Sequence, residues 1–248
     1  MAAGKNLLLV EDEPTLQRIL GSVLGDNGHR VDGVATAEQA LERLEQGGVD
    51  MVLCDKNLPA MSGIDLLAQA RARWPEIAFV MVTGYPSRES ALAVLAHDGD
   101  GYLVKPFRSL SAAVEHVEHL LTTNLGVRRA GAALARRLAQ AIAGLDVELP
   151  PALPVAVHID DERRGRQVRR VIAAAGARPV DLGQLPDTGP AGLVAGRVED
   201  IATFARRHVG SAHVLLDAGV SFSDVVALID AGGGAVVDPA LVPVEAAS

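Results

Sequence analysis

Cysteine and aromatic residues are scarce in this sequence. Only one of the 248 residues is a cysteine, Cys54, which excludes an internal disulfide bond and is typical of a protein from a reducing compartment. Aromatic residues make up 3% of the chain, so we expect cores built from alanine, valine, leucine and isoleucine. The same scarcity removes the stacking side chains on which single-stranded nucleic acids are usually bound.

Long apolar runs and excess positive charge are also missing. No run approaches the ~20 apolar residues of a membrane span, and the N-terminus lacks the apolar core of a signal peptide. The formal net charge of −8 argues against a nucleic-acid-binding protein. We therefore expect a cytoplasmic protein that neither inserts into a membrane nor binds nucleic acid.

The length of 248 residues suffices for two domains of about 100–150 residues each. The pattern of apolar runs predicts a first domain at 5–123, a helical and proline-rich linker at 124–154, and a second, smaller α/β domain at 155–248. In the first domain five short apolar runs alternate with five amphipathic segments. This alternation predicts a doubly wound α/β fold, in which helices cover both faces of a five-stranded parallel sheet.

The predicted strands of the first domain are 7–10, 29–34, 51–54, 77–82 and 101–104. The predicted helices, several of them opened by a capping residue or a proline, are 14–24, 36–44, 64–73, 87–97 and 110–122. Cys54 is adjacent to Asp55 on the third strand. Its side chain should therefore point to the opposite face of the sheet, into the core.

Polar side chains stand where the predicted strands end. Three are carboxylates, one is a hydroxyl and one is a lysine: Glu11, Asp12, Asp55, Thr83 and Lys105. Since parallel strands end at the same edge of a sheet, we expect these groups to lie together. Crowded carboxylates repel one another unless a cation lies among them, and oxygen-only ligands suit Mg²⁺. The hydroxyl and the lysine would hold a phosphoryl group that Asp55 accepts as nucleophile.

In these residues and their spacing, the segment resembles the receiver domain of bacterial two-component response regulators. The resemblance implies that Asp55 is the phosphoacceptor and that Asp12 binds the metal directly. Glu11, where an aspartate is commoner, falls on the acidic neighbour that acts through water. Thr83 and Lys105 fall on the two residues that contact the phosphate.

Three further positions follow from the same resemblance. Asn57 falls where the family offers a backbone carbonyl to the metal. Tyr102 falls on the aromatic residue that turns inward when Thr83 is drawn to the phosphate. Lys105–Pro106 falls on the usual cis peptide bond, which proline makes accessible.

The resemblance also implies a function for the chain. We expect a response regulator with Mg²⁺ as cofactor, a sensor histidine kinase or phosphotransfer protein as donor, and an unidentified protein as downstream partner. We expect a phosphoacceptor rather than an enzyme, with self-catalysed loss of the phosphoryl group and phosphorylation-dependent homodimerisation as further properties to test. The alternative is that the C-terminal domain is a cryptic enzyme or a DNA-binding output gated by the receiver.

The second domain opens like the first and resembles a degenerate pseudo-receiver whose last helix is missing. The expected phosphoacceptor, threonine and lysine positions hold Gly196, Asp217 and Asp238, so we expect no phosphorylation there. With Asp160 and Asp161, the two aspartates form an acidic cluster. The cluster either binds a divalent cation or, as we favour, is solvated and balanced by nearby arginines.

The remaining segments of the second half are less specific. The predicted strands are 155–159, 178–182, 192–195, 213–216 and 235–237, and the predicted helices are 163–175, 198–208 and 223–231. The arginines at 163–170 span too much of a helix circumference for one nucleic-acid-binding face. In the linker, a heptad-like pattern over 127–145 fits either a weak coiled coil or, as we favour, a helix packed on one of the domains.

Overall fold

Every apolar run predicted as a strand in the first half of the chain is a strand in the structure. The computed structural model describes residues 4–123, 125–186, 190–208 and 210–242. The chain divides into two units, Met1–Leu125 and Gly126–Ser248. Each unit contains a five-stranded sheet in which every strand pair is parallel.

The first unit alternates strands and helices from end to end. The strands are β1 (Asn6–Val10), β2 (Arg30–Val34), β3 (Met51–Asp55), β4 (Ala78–Thr83) and β5 (Gly101–Val104). The helices are α1 (Pro14–Asp26), α2 (Ala37–Glu45), α3 (Gly63–Arg73), α4 (Arg88–Ala96) and α5 (Leu110–Thr122). The sheet order is β2-β1-β3-β4-β5, so β1 and β3 are neighbours at its centre.

The sequence signals that start these helices act as predicted. The side-chain oxygens of Thr36, Ser62, Ser87 and Ser109 each accept a hydrogen bond from a backbone N–H three residues further on. Pro14 occupies the first turn of α1. The burial of Cys54 agrees with the predicted core position, because its side chain is fully enclosed.

The second unit begins with a helix and then repeats the alternation. Its strands are β6 (Pro154–His158), β7 (Arg178–Val180), β8 (Gly192–Ala195), β9 (Ala212–Leu216) and β10 (Ala235–Val237). Its helices are α6 (Leu125–Ile142), α7 (Glu162–Ala174), α8 (Val198–Ala205) and α9 (Phe222–Asp230). The sheet order β10-β9-β8-β6-β7 is the order of the first sheet, strand for strand. The two sheets therefore share one connectivity.

Helix α6 corrects the predicted linker at 124–154, of which residue 124 lies outside the described residues. Ala135, Leu138, Ala141 and Ile142 are buried in the core of the second unit. Gly131 permits a close approach of the backbone, since a Cβ there would lie 2.4 Å from the carbonyl oxygen of Gly210. The heptad-like pattern thus reflects packing within the second unit, as the favoured alternative predicted.

In the core of the second unit, α6 takes the place that α5 has in the first. In the first unit, one core joins the sheet to α1 and α5, with Leu20 and Val117 among its members. In the second unit the corresponding core joins the sheet to α7 and α6, with Val168 and Leu138 among its members. A helix that precedes the first strand therefore covers the sheet face that α5 covers in the first unit.

Candidate functional site

The carboxyl edge of the first sheet brings together the predicted polar residues. Glu11 directly follows β1, Asp55 ends β3, Thr83 ends β4 and Lys105 directly follows β5. Although Glu11 and Asp55 are charged, only 2% and 8% of their surfaces are exposed, and Thr83 is fully buried. Buried carboxylates require partners, because an unpaired charge away from water is strongly unfavourable.

Lys105 is the partner of both buried carboxylates. Its Nζ donates hydrogen bonds to Asp55 Oδ2 at 2.6 Å and to Glu11 Oε2 at 2.9 Å. Burial favours the neutral amine, but the bonds to Asp55 and Glu11 outweigh it and raise the pKa of Lys105. Burial raises the pKa of Glu11 despite the hydrogen bond from Lys105. One cation therefore serves two carboxylates, and the site retains excess negative charge.

The carboxylates fit a hard divalent cation. One oxygen from each of Glu11, Asp12 and Asp55 lies within 4.8 Å of the other two, and Asp12 is exposed to solvent. Among the described residues this is the only group of three or more carboxylate, imidazole or thiolate ligands placed so closely. An all-oxygen set that is open on one side suits Mg²⁺, which keeps part of its water shell.

The loop after β3 and the first residue of α3 shape the site, and the contacts of Lys56 and Gly63 were not predicted from the sequence. The backbone N–H of Asn57 donates to Asp55 Oδ1 at 3.0 Å, while the predicted role of the Asn57 carbonyl stays a prediction. A Cβ at Gly63 would lie 2.2 Å from the carbonyl oxygen of Asp55, so only glycine fits there. The Lys56 ammonium donates to the carbonyl oxygen of Tyr85, which ties this loop to the one after β4.

Thr83 and Tyr102 lie on adjacent strands. Thr83 Oγ1 accepts a hydrogen bond from the backbone N–H of Tyr85 at 3.0 Å. The Tyr102 ring points inward with 3% of its surface exposed, and its Oη lies 2.7 Å from Ser90 Oγ. Burial raises the pKa of Tyr102. Ser90 was not predicted, because nothing in the spacing of Ser90 and Tyr102 reveals a contact between a helix and a strand.

The peptide bond between Lys105 and Pro106 is cis, as predicted. This bond lies immediately after the residue that pairs with Asp55. The exposed side chain of Tyr85, at 75% of its surface, stands beside Lys105, Pro106 and Leu110 in an open depression at the edge of the site. The site is therefore open to solvent beside Lys105.

Among the described residues, the equivalent edge of the second sheet presents different side chains. Gly196 follows β8 and Asp217 follows β9, as predicted. The predicted equivalence of Asp238 and Lys105 is wrong by one residue. In the sheet registers Gly101 pairs with Val80 and Ala235 with Val214, so Pro239 is the residue level with Lys105. Asp238 precedes Pro239 as Lys105 precedes Pro106, but this likeness does not follow the sheet register, and neither Asp238 nor Pro239 is a lysine.

The acidic residues of the second unit have local partners rather than a common centre. Asp160 pairs with Arg197, and the others accept backbone N–H groups in their own turns: Asp161 from Arg164, Asp217 from Gly219 and Asp238 from Ala240. Within the described residues they do not form a group close enough to share a metal ion. The Asp160–Arg197 pair is the kind of contact that the favoured interpretation expects, and the lack of a bound cation stays a prediction.

The arginines of α7 are also partly engaged within the second unit. Arg169 donates to the carbonyl oxygen of Val180 at 2.9 Å and to Asp181 Oδ1 at 3.0 Å. Arg166 pairs with Glu162 one turn earlier on the exposed face of the helix. These arginines therefore have structural roles that need no nucleic acid.

Across the described ranges, no helix has the length and apolar character to cross a membrane.

Residues 7–118 match the family of response regulator receiver domains. The first unit is a response regulator receiver domain. Two-component response regulator PhoP of Pseudomonas aeruginosa is 38% identical over 102 residues, which cover 41% of this chain and 45% of that protein. Transcriptional regulatory protein TcrA of Mycobacterium tuberculosis is 33% identical over 105 residues, 42% of each chain. A receiver domain structure from Methanospirillum hungatei shares 30% identity, covering 48% of this chain and 94% of that one with a TM-score of 0.47.

The receiver domain is thus homologous to part of each regulator, and its site agrees with phosphoacceptor function in two-component signalling. The chain spans less than half the length of these two relatives. The family match ends at residue 118, before the second unit begins. The role of the second unit has to be argued from its own residues.

Proposed function

We propose that Asp55 accepts a phosphoryl group from a sensor histidine kinase or a phosphotransfer protein. The observation that carries this is the Asp55 carboxylate, held by Lys105 at 2.6 Å beside two further carboxylates at the open edge of the sheet. An oxygen of Asp55 attacks the phosphorus of a phosphohistidine as the P–N bond breaks. The products are an acyl phosphate on Asp55 and a free imidazole.

The neighbouring residues share the charge of the transferred group. Lys105 can exchange its bond to the Asp55 carboxylate for one to a phosphoryl oxygen, and the Thr83 hydroxyl can donate to another. Asp12, Asp55 and the Asn57 carbonyl would hold Mg²⁺ directly, with Glu11 acting through water. Mg²⁺ would supply positive charge that offsets the charge of the carboxylates and of the phosphoryl oxygens.

Phosphorylation changes which contacts Thr83 makes. To reach a phosphoryl oxygen, the Thr83 side chain rotates and gives up the hydrogen bond that it accepts from the backbone N–H of Tyr85. The loop at 84–86 then moves with it. That loop leads directly into α4, and Tyr102 packs beside it. The phosphoryl group thereby favours one of two packings of the surface formed by α4, β5 and α5, as a population shift requires.

The second unit is proposed to be a pseudo-receiver that serves as a protein-interaction module. Its sheet has the connectivity of the receiver sheet, which supports the relationship. With Gly196 in place of the nucleophile, it would accept no phosphoryl group. We further propose that the protein acts in the cytoplasm on a protein partner or on a second copy of itself, and that it is not an enzyme beyond hydrolysing its own acyl phosphate.

The test is labelling of the whole chain by a radioactive small phosphoryl donor such as acetyl phosphate, with and without Mg²⁺. Wild type should take up label only with Mg²⁺, and hydroxylamine should remove it as expected of an acyl phosphate. Asp55→Asn should take up none. Asp26→Asn, at the exposed end of α1, is the matched control and should label as wild type does. Equal labelling of Asp55→Asn and wild type would show the site assignment to be wrong.

A further inference from the structure

Ser90 lies in the first turn of α4, where its side chain is 6% exposed. Its hydroxyl oxygen has four hydrogen-bond contacts. Ser90 Oγ donates to the carbonyl oxygen of Ser87 at 2.9 Å and accepts from the backbone N–H and the hydroxyl of Ser87, both at 3.2 Å. It also lies 2.7 Å from Tyr102 Oη. It thereby joins the start of α4 to β5.

The hydroxyls of Ser90 and Tyr102 share a hydrogen bond in which either oxygen can be the donor. A serine hydroxyl has one hydrogen and two acceptor positions, so it can serve Tyr102 in either sense. Without Ser90 Oγ, the buried hydroxyl of Tyr102 would lose this partner, which favours turning the ring toward water.

We propose that Ser90 is a positioning residue that holds Tyr102 in its inward conformation and so sets how readily the receiver adopts its phosphorylated packing. The second half of this statement rests on the proposed function. The link is short along the chain, because only residues 84–86 separate Thr83 from Ser87. The phosphoryl group favours the inward conformation of Tyr102. Because coupling between two sites is reciprocal, a Ser90 contact that stabilises this conformation also strengthens binding of the phosphoryl group.

A role limited to starting the helix has to be separated from this proposal. Ser90 and Ser87 together form the capping box of α4. Ser87→Ala removes the capping hydroxyl, and with it one contact to Ser90 Oγ, but keeps the Ser87 backbone groups that bond Ser90 Oγ. It is therefore the matched control, since it weakens the helix start while leaving Ser90 Oγ beside Tyr102.

Fluorine NMR of the full chain labelled with 3-fluorotyrosine reads the ring directly. The chain has two tyrosines, and the exposed Tyr85 is an internal reference that Tyr85→Phe assigns. In Ser90→Ala we expect the Tyr102 resonance to move toward that of Tyr85, and the pKa of Tyr102 to fall as the ring leaves its buried position. Ser87→Ala should leave both unchanged. If Tyr102 stays inward in Ser90→Ala, loss of the hydrogen bond from Ser90 raises its pKa instead, and the proposal is overturned.

Beryllofluoride with Mg²⁺, as a phosphoryl mimic, tests the coupling. Ser90→Ala should weaken its binding by about fivefold, the effect of one ordinary hydrogen bond, while Ser87→Ala should bind as wild type does. Equal affinity of Ser90→Ala and wild type would overturn the proposed coupling. Absence of binding to wild type would instead overturn the proposed phosphoacceptor function, while the fluorine measurement would still decide whether Ser90 holds Tyr102.

Discussion

At the scale of single residues, Lys105 is the residue that compensates the charge of the two buried carboxylates in the site. Its ammonium lies 2.6 Å from Asp55 Oδ2 and 2.9 Å from Glu11 Oε2, and both carboxylates are nearly enclosed. Removing one partner of a buried ion pair is more damaging than removing both, because it leaves charge without compensation. The same reasoning predicts that a bound cation can take over part of the role of Lys105.

We expect Lys105→Met to lower the free energy of unfolding by about 2–4 kcal/mol at neutral pH without Mg²⁺. Mg²⁺ should stabilise this variant more than wild type, because the three carboxylates then have no other cation. Thermal melts of both proteins with and without Mg²⁺ measure the difference. Equal stabilisation by Mg²⁺ would contradict a shared carboxylate site, and Lys56→Met is the control for loss of a nearby lysine.

The pH dependence of Lys105→Met follows from Glu11. The pKa of Glu11 is raised above 4.5 even with Lys105 present, and without the ammonium it should rise further. The folded state then binds more protons than the unfolded state between 4.5 and the raised value. The stability of the variant should therefore fall as pH rises through that window and recover as pH is lowered. Denaturant titrations at a series of pH values would show a steeper fall than in wild type.

His213 gives the second unit the opposite pH dependence. This histidine on β9 is buried, and burial, aided by the positive charges of His208 and Arg128, lowers its pKa from 6.5 to about 4. Between these values the unfolded state binds the proton and the folded state does not. Stability should be complete above the unfolded value and decline as pH falls from 6.5 toward 4, by about 3 kcal/mol in total.

His213→Phe should remove this decline, because phenylalanine does not titrate. The matching position of the first sheet holds Phe79, which makes phenylalanine a suitable replacement. The readout is the slope of unfolding free energy against pH, which is independent of any change in packing. His119→Phe, an exposed histidine on α5, should keep the wild-type slope. An unchanged slope in His213→Phe would mean that His213 does not stay neutral in the folded protein.

At the scale of helices and strands, α6 is the element whose role differs most from the expectation. It lies in a predicted linker, yet Leu138 is fully buried in the core of the second unit. We expect Leu138→Ala to reduce the free energy of unfolding by about 2–5 kcal/mol. Leu145→Ala, whose side chain is exposed in the same segment, should change it by less than about 0.5 kcal/mol.

Circular dichroism during urea denaturation would measure both variants. A linker helix that made no core contacts would tolerate Leu138→Ala as well as Leu145→Ala. Near-equal midpoints for the two variants would therefore contradict the assignment of α6 to the second core.

The elements also show which features sequence reasoning can reach. Strands such as β3 and β4 were placed to within one residue, because a continuous buried run bounded by glycine, proline or charge has few other interpretations. The partner of α6 could not be predicted, since a stripe of small and apolar residues fits any apolar surface. The bonds of Lys56 to Tyr85 and of Ser90 to Tyr102 were missed because they join loops and helices that only the folded chain brings together.

At the scale of the whole molecule, one connectivity occurs twice with different residues at the strand ends. The first sheet presents carboxylates, a threonine and a lysine at its carboxyl edge. The second presents Gly196, Asp217 and Pro239 at the positions level with Asp55, Thr83 and Lys105. Because a phosphoacceptor needs a carboxylate nucleophile and a cation for the phosphate, the proposed function assigns the transfer to the first edge.

Intact-mass spectrometry of the full chain after treatment with acetyl phosphate and Mg²⁺, followed by peptide mapping, tests this account most directly. It predicts one phosphoryl group per chain, carried by Asp55 and absent from Asp55→Asn, with no modified residue in the second unit. Phosphorylation of Asp55→Asn, or of any aspartate in the second unit, would contradict it.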